Sequence, residues 1–300
     1  MGRSYIVMSL RAGATAVCCS ALMLLAVGCE SRLITDLERL VEARRLAAEM
    51  LVQFIKSADA GNRAVMADTD EASVAYVREA NDATAAVSRD SVTLQQLVRD
   101  LGYAEESRLL EEFGRCFAEY QALDKSIFEL AVENTNLRAQ RLSFTSAQKE
   151  ADAFRDALNA LAPSGRPEQA SRVQALAATA LAAVREIQVL QAPHIAESDE
   201  AAMTRLEKRA SEAEATARRA LATLAGLVPP ESRDQVALAM AAVDRFMAVN
   251  TEIVALSRRN SNVRSLALSL GQKRTLTARC EESLRALQAA LESRHFSGTR

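Results

Sequence analysis

Asn134, Asn136 and Arg138 recur, at an offset of 126 residues, as Asn260, Asn262 and Arg264. A guanidinium beside two amides offers planar, paired donors, which is the chemistry that receives the carboxylate of a small organic acid or an amino acid. The same residues admit a structural role, in which the asparagines cap a helix and the arginines point to water from its first turn. Burial separates the two: the receptor needs both arginines inside the fold, where an unpaired charge is rarely found.

Other candidate chemistry is thinner. Glu292 and His295 have the Glu-x-x-His spacing of di-iron helical bundles, but such sites need a second pair and further carboxylates, so no metal is expected. His194 follows Pro193 and is expected as a cap or surface residue. No Ser, Cys or Lys sits in a recognisable nucleophile setting, and no glycine-rich phosphate loop or haem attachment sequence occurs, so neither catalysis nor a cofactor is expected. Cys18, Cys19, Cys29, Cys116 and Cys280 show no metal spacing. Cys116 and Cys280 are read as small core residues at helix seams, with a disulfide left open if the compartment is oxidising.

The elements that position these residues are helices. Hydrophobic residues make up 49% of the chain while Gly (10) and Pro (5) are scarce, which favours helix and leaves few turns for a sheet. A net charge of −2 gives no field for holding nucleic acid, and none is expected as a partner. Amphipathic three-four spacing begins at Leu33 and Leu37. Breaks are expected at Ala60-Gly61-Asn62, at Asp100-Leu101-Gly102, near Ala192-Pro193-His194 and at Leu227-Val228-Pro229-Pro230, with Asp68-Thr69-Asp70 opening the second helix. The third helix ends in Leu130 to Phe144, LAVENTNLRAQRLSF, which returns from Leu256 to Leu270 as LSRRNSNVRSLALSL. A turn at 134–136 and 260–262 is preferred, with Phe144 and Leu270 on the seams of the helices that follow; turns near 143–146 and 269–272 remain the alternative. Pro163-Ser164-Gly165-Arg166-Pro167 is the clearest linker.

The start of the chain is membrane-directed. Ala12 to Gly28 carries no charge and is flanked by Arg3 and Arg11. It can serve as a signal sequence or as a retained anchor, since about 17 to 25 apolar residues suffice to span a bilayer. Leu25-Ala26-Val27-Gly28-Cys29 is similar to a bacterial lipobox, which makes Cys29 the candidate for lipidation. In either case the residues after Cys29 are expected outside the cytoplasm.

With Leu130, Asn134, Asn136, Ala139 and Leu142, and again Leu256, Asn260, Asn262, Leu266 and Leu268, the chain after Cys29 resembles the four-helix-bundle sensory domain of bacterial methyl-accepting chemotaxis receptors. A tandem pair is also similar to the bimodular helical sensors. The resemblance implies an extracytoplasmic, periplasmic sensory or ligand-binding module in signal transduction. It also implies a homodimer or a signalling partner protein, because no second transmembrane helix or signalling coiled coil follows.

The expected architecture is therefore all-α: an N-terminal membrane segment (1–29), a first antiparallel up-and-down four-helix bundle (30–162), a linker (163–167) and a second bundle (168–296). The competing function is a structural envelope lipoprotein acting as a helical scaffold or spacer.

Overall fold

The computed structural model describes the backbone of residues 10–161 and 167–294, and the side chains of 35–161 and 168–294. Among the described residues the chain is helical and contains no strand. Helix α1 spans Leu10–Val65, α2 Asp70–Asp100, α3 Ala104–Glu133, α4 Thr135–Leu142 and α5 Gln148–Asn159. They are followed by α6 (Pro167–Ala196), α7 (Glu200–Leu227), α8 (Arg233–Arg259), α9 (Ser261–Leu268) and α10 (Arg274–Ser293). The membrane-directed start and the lipidation candidate Cys29 lie outside the described side chains, as does most of the proline linker.

Local chemistry accounts for both ends of α2 and the start of α7. Thr69 Oγ1 accepts from the Ala72 amide at 3.1 Å and so caps α2. Gly102 closes the same helix at φ 69°, where the Tyr103 amide donates to the Val98 carbonyl and the Gly102 amide to the Arg99 carbonyl. Asp199 caps α7 by accepting from the Ala202 amide at 2.6 Å. Since only Gly adopts that left-handed conformation at no steric cost, Gly102→Ala is expected to cost about 1 kcal/mol, read as a lower urea midpoint.

Two expected breaks are corrected. Helix α1 continues through Gly61 to Val65. Helix α6 likewise runs past Pro193 to Ala196. Pro193 removes the hydrogen bond to the carbonyl of Val189, and Val189 is exposed, so water can take the place of the missing donor.

The chain forms two compact units. The first comprises residues up to Ala60, Arg78–Leu123 and Lys273 onward. Its core centres on Phe54, whose ring lies 6.1 Å edge-on from Phe113 and 4.9 Å from Tyr120. Leu40, Met50, Leu94, Leu284, Leu287 and Leu291 close around them. The second unit comprises Gly61–Val77 and Asp124–Gln272. Phe154 from α5, Val184 and Ile187 from α6, Leu221 and Leu224 from α7, and Val243 and Phe246 from α8 share its core. Helix α6 is long and apolar enough to cross a membrane, with a mean hydropathy of 1.3. Its apolar face belongs to this core.

These units are not the contiguous stretches 30–162 and 168–296. Helix α10 joins α1–α3 in the first, while α4 and α5 join α6–α8 in the second, so each copy of the repeat places its last helix in the other copy's unit. The cause is local. A helical hairpin needs a loop of about two to five residues, whereas one left-handed residue, Asn134, separates α3 from α4.

The alternative turn positions are also occupied by irregular backbone. Ser143–Ala147 and Ser269–Lys273, again 126 residues apart, form π-helical turns. A π turn inserts an extra residue and shifts the phase of the seam. Phe144 and Leu270, expected in the core, are consequently exposed at 70% and 65%.

Candidate functional site

The two copies of the repeated motif meet within the second unit. Asn134 (φ 48°, ψ 37°) and Asn260 (φ 55°, ψ 38°) each occupy the left-handed region as the single residue between consecutive helices. Among non-glycine residues asparagine tolerates this conformation best, because its short amide compensates locally. A left-handed break leaves the first amides of the next helix without partners, and here each copy supplies the acceptors for the other.

The exchange is reciprocal. The Thr135 amide donates to Ser261 Oγ at 3.1 Å, and the Ser261 amide donates to Thr135 Oγ1 at 3.0 Å. The Asn136 amide donates to Asn262 Oδ1 at 3.1 Å, and the Asn262 amide to Asn136 Oδ1 at 3.2 Å. The side-chain amides complete the clasp. Asn136 Nδ2 donates to Asn260 Oδ1 at 2.8 Å, and Asn262 Nδ2 to Asn134 Oδ1 at 2.9 Å. Asn136 and Asn260 also donate to the carbonyls of Ile195 and Glu197, at 2.7 and 2.8 Å, which ties the end of α6 to the clasp. Asn134 Nδ2 is buried and has no hydrogen-bond partner.

At the rim, equivalent positions carry opposite charges. Arg259 donates through Nε to Glu133 at 2.7 Å, and this guanidinium holds the Glu133 carboxyl below the usual carboxylate range.

The sequence motif thus brings Asn134, Asn136, Asn260 and Asn262 together, but Arg138 and Arg264 are both exposed. The carboxylate receptor expected of the six residues is not formed. The amides are engaged by one another and by backbone, and the guanidinium groups stand in solvent.

A second buried polar cluster adjoins the clasp, unannounced by spacing because its members come from three helices. His194 is buried, contrary to the expectation of a surface or cap residue, because α6 continues through Pro193 and keeps it on the inward face. Its Nδ1 lies 2.8 Å from Ser257 Oγ and its Nε2 2.9 Å from Glu207 Oε1. Arg258 Nε donates to Glu207 at 2.7 Å. The set Ser257, His194 and Glu207 has the composition of a nucleophilic triad without its access. Ser257 is fully buried and donates its hydroxyl proton to the His194 carbonyl at 2.7 Å. The space beside His194 amounts to about 20 Å³, room for one water molecule and not for an amino acid.

Arg258, and after it His194, hold the Glu207 carboxyl below its ordinary 4.5 against the opposing effect of burial. A depressed folded-state value adds stability above the unfolded value and loses it as pH falls through the folded one. Thermal melts are therefore expected to show stability declining below about pH 4.5, with a shallower decline in Glu207→Gln.

Cys116 and Cys280 are joined by a disulfide with Cα atoms 5.6 Å apart, which links α3 to α10 within the first unit. The disulfide, left open by the sequence, is formed. Both are core residues, but α10 packs beside α3 and brings the sulfurs together. Among the described residues no group of His, Cys, Asp and Glu could hold a metal ion, and His295 lies outside them. No protein-family model matches the chain, and no curated protein matches it.

Proposed function

We propose that the chain is a membrane-tethered, extracytoplasmic helical module of signal transduction, sensory in class and built as two antiparallel four-helix bundles. The observation that carries this reading is the reciprocal clasp between two interrupted helices. Each break is capped by the other's side chains, so displacing one helix breaks bonds that the other also needs. An element whose bonds are made or lost together can pass a displacement of the size ligand binding supplies, about 1–3 kcal/mol of coupling. The π-helical turns that follow each break add to it, since such turns concentrate at functional sites. The disulfide supports an oxidising compartment and hence the periplasmic side. A small organic acid or amino acid bound elsewhere than at Arg138 and Arg264, which form no receptor, is the proposed stimulus, and a second copy or a signalling partner protein in the membrane is the proposed receiver.

The test is titration of the full chain in lipid nanodiscs with a panel of small organic acids and amino acids. Binding is read by calorimetry, together with amide hydrogen exchange at 131–138 and 257–264. Binding accompanied by changed exchange at both breaks is expected, and no binding across the panel would remove the sensory reading.

One observation favours a structural lipoprotein instead: the asparagine amides are spent largely on one another and on backbone, and the arginines face solvent, as a static spacer would have them. Labelling with radioactive fatty acid tests the spacer's anchor, since a lipoprotein must carry label at Cys29, and label without any ligand binding favours the spacer.

A further inference from the structure

We propose that Cys116 is the entry cysteine through which a thiol–disulfide donor oxidises this chain, with Arg279 as the group that activates it. The two sulfurs are differently placed. Cys280 is fully buried, whereas Cys116 retains 5% of its surface and lines an open groove of about 480 Å³ whose charged residues are Glu112, Arg115 and Glu119 on one side and Arg279 and Glu282 on the other; of these, Arg279 is the one that reaches the sulfur. Arg279 Nε points at Cys116 Sγ from 3.5 Å, while its other end pairs with Glu119. Thiolate is the attacking species in disulfide exchange, and a guanidinium beside a sulfur favours thiolate over thiol. Both cysteines belong to the core, but only Cys116 borders the groove, so a donor entering it reaches Cys116 before Cys280.

The step balances without further reagents. The Cys116 thiolate attacks one sulfur of the donor disulfide, forming a mixed disulfide and expelling a donor thiolate. Cys280 then gives up its proton and attacks Cys116 Sγ, expelling the second donor thiolate. The chain loses two electrons and two protons, and the donor disulfide becomes two thiols. The order requires α10 to be docked on α3 before the bond forms, so the disulfide records a helix placement already made.

The experiment uses the full chain with Cys18, Cys19 and Cys29 replaced by serine, reduced and held in detergent, with oxidised glutathione as the donor. Rapid acid quenching followed by peptide mass spectrometry maps the first glutathione adduct. Adducts on Cys116 are expected to exceed those on Cys280 at least about tenfold, and equal adducts, as in a urea-unfolded control, would overturn the proposal. In a Cys280→Ser background, which traps the adduct, Arg279→Gln is expected to slow the reaction about threefold and to displace its rise with pH upward, since the thiolate loses its neighbouring cation while the less acidic thiol attacks somewhat faster once ionised. Arg279→Lys should recover most of the rate. Equal slowing by Gln and Lys, or by neither, would overturn the role given to Arg279.

Discussion

Reducing the Cys116–Cys280 bond should lower the unfolding free energy of the chain by about 5 kcal/mol, the entropy of a closed loop of this length in the unfolded state. The loop spans 164 residues, because the bond joins the third helix to the last. For a protein of this size the loss corresponds to a fall in melting temperature of about 8 °C. The native contacts of α10 do not all depend on the bond. At its C-terminal end Arg294 pairs with the buried carboxylate of Glu106 at 2.6 and 2.7 Å and stacks on Tyr103 at 4.5 Å. Arg44 reaches the carbonyls of Leu291 and Arg294 at 2.9 and 2.6 Å. Reduction should therefore leave the native helix content unchanged at low temperature while shifting the transition. Circular dichroism melts with and without reductant measure both quantities. Coincident melts would mean that the bond does not close this loop, and loss of helix before heating would mean that α10 depends on the bond for its place.

Replacing Asn136 with alanine should cost about 3–5 kcal/mol, the largest effect expected from one side chain of the clasp. The change removes donations to the Ile195 carbonyl and to Asn260 Oδ1, and it leaves the Asn262 amide without its acceptor. Each of these groups is left in or near the interior, where an unmade hydrogen bond costs about 1–3 kcal/mol before relaxation. Arg138→Ala, two residues away and exposed, should fall within about 0.5 kcal/mol of the wild type. Urea unfolding of both variants compares them directly. If Arg138→Ala proved the more damaging, the clasp would not be the stabilising arrangement described, and a buried role for the arginine would have to be reconsidered.

The contrast between Asn136 and Arg138 shows where legibility ended. All six recurring polar residues were visible as a motif, and spacing alone could not say which faced inward. Asn134 was preferred as a turn, and it is one, but a turn of a single residue; the loop length that decides between a hairpin and an interrupted helix has no signature in the flanking residues. Phe144 and Leu270 failed for a related reason. Both keep the seam rhythm on an α-helix, and the π-helical turns that rotate them outward depend on backbone packing that three-four periodicity presumes to be uniform.

By itself the sequence determined that the chain is helical, where Thr69 and Gly102 begin and end the second helix, and that a motif recurs at an offset of 126 residues. Those properties are local: they follow from propensity, capping and the repetition of residues 126 positions apart. Only the tertiary structure decided that α10 lies in the first unit and α5 in the second, that Cys116 meets Cys280, and that the paired asparagines cap each other's helices. Helices of similar amphipathic pattern can exchange partners with little change in buried area, so which helix fills which core depends on contacts between residues more than 120 positions apart, and no spacing along the chain records them.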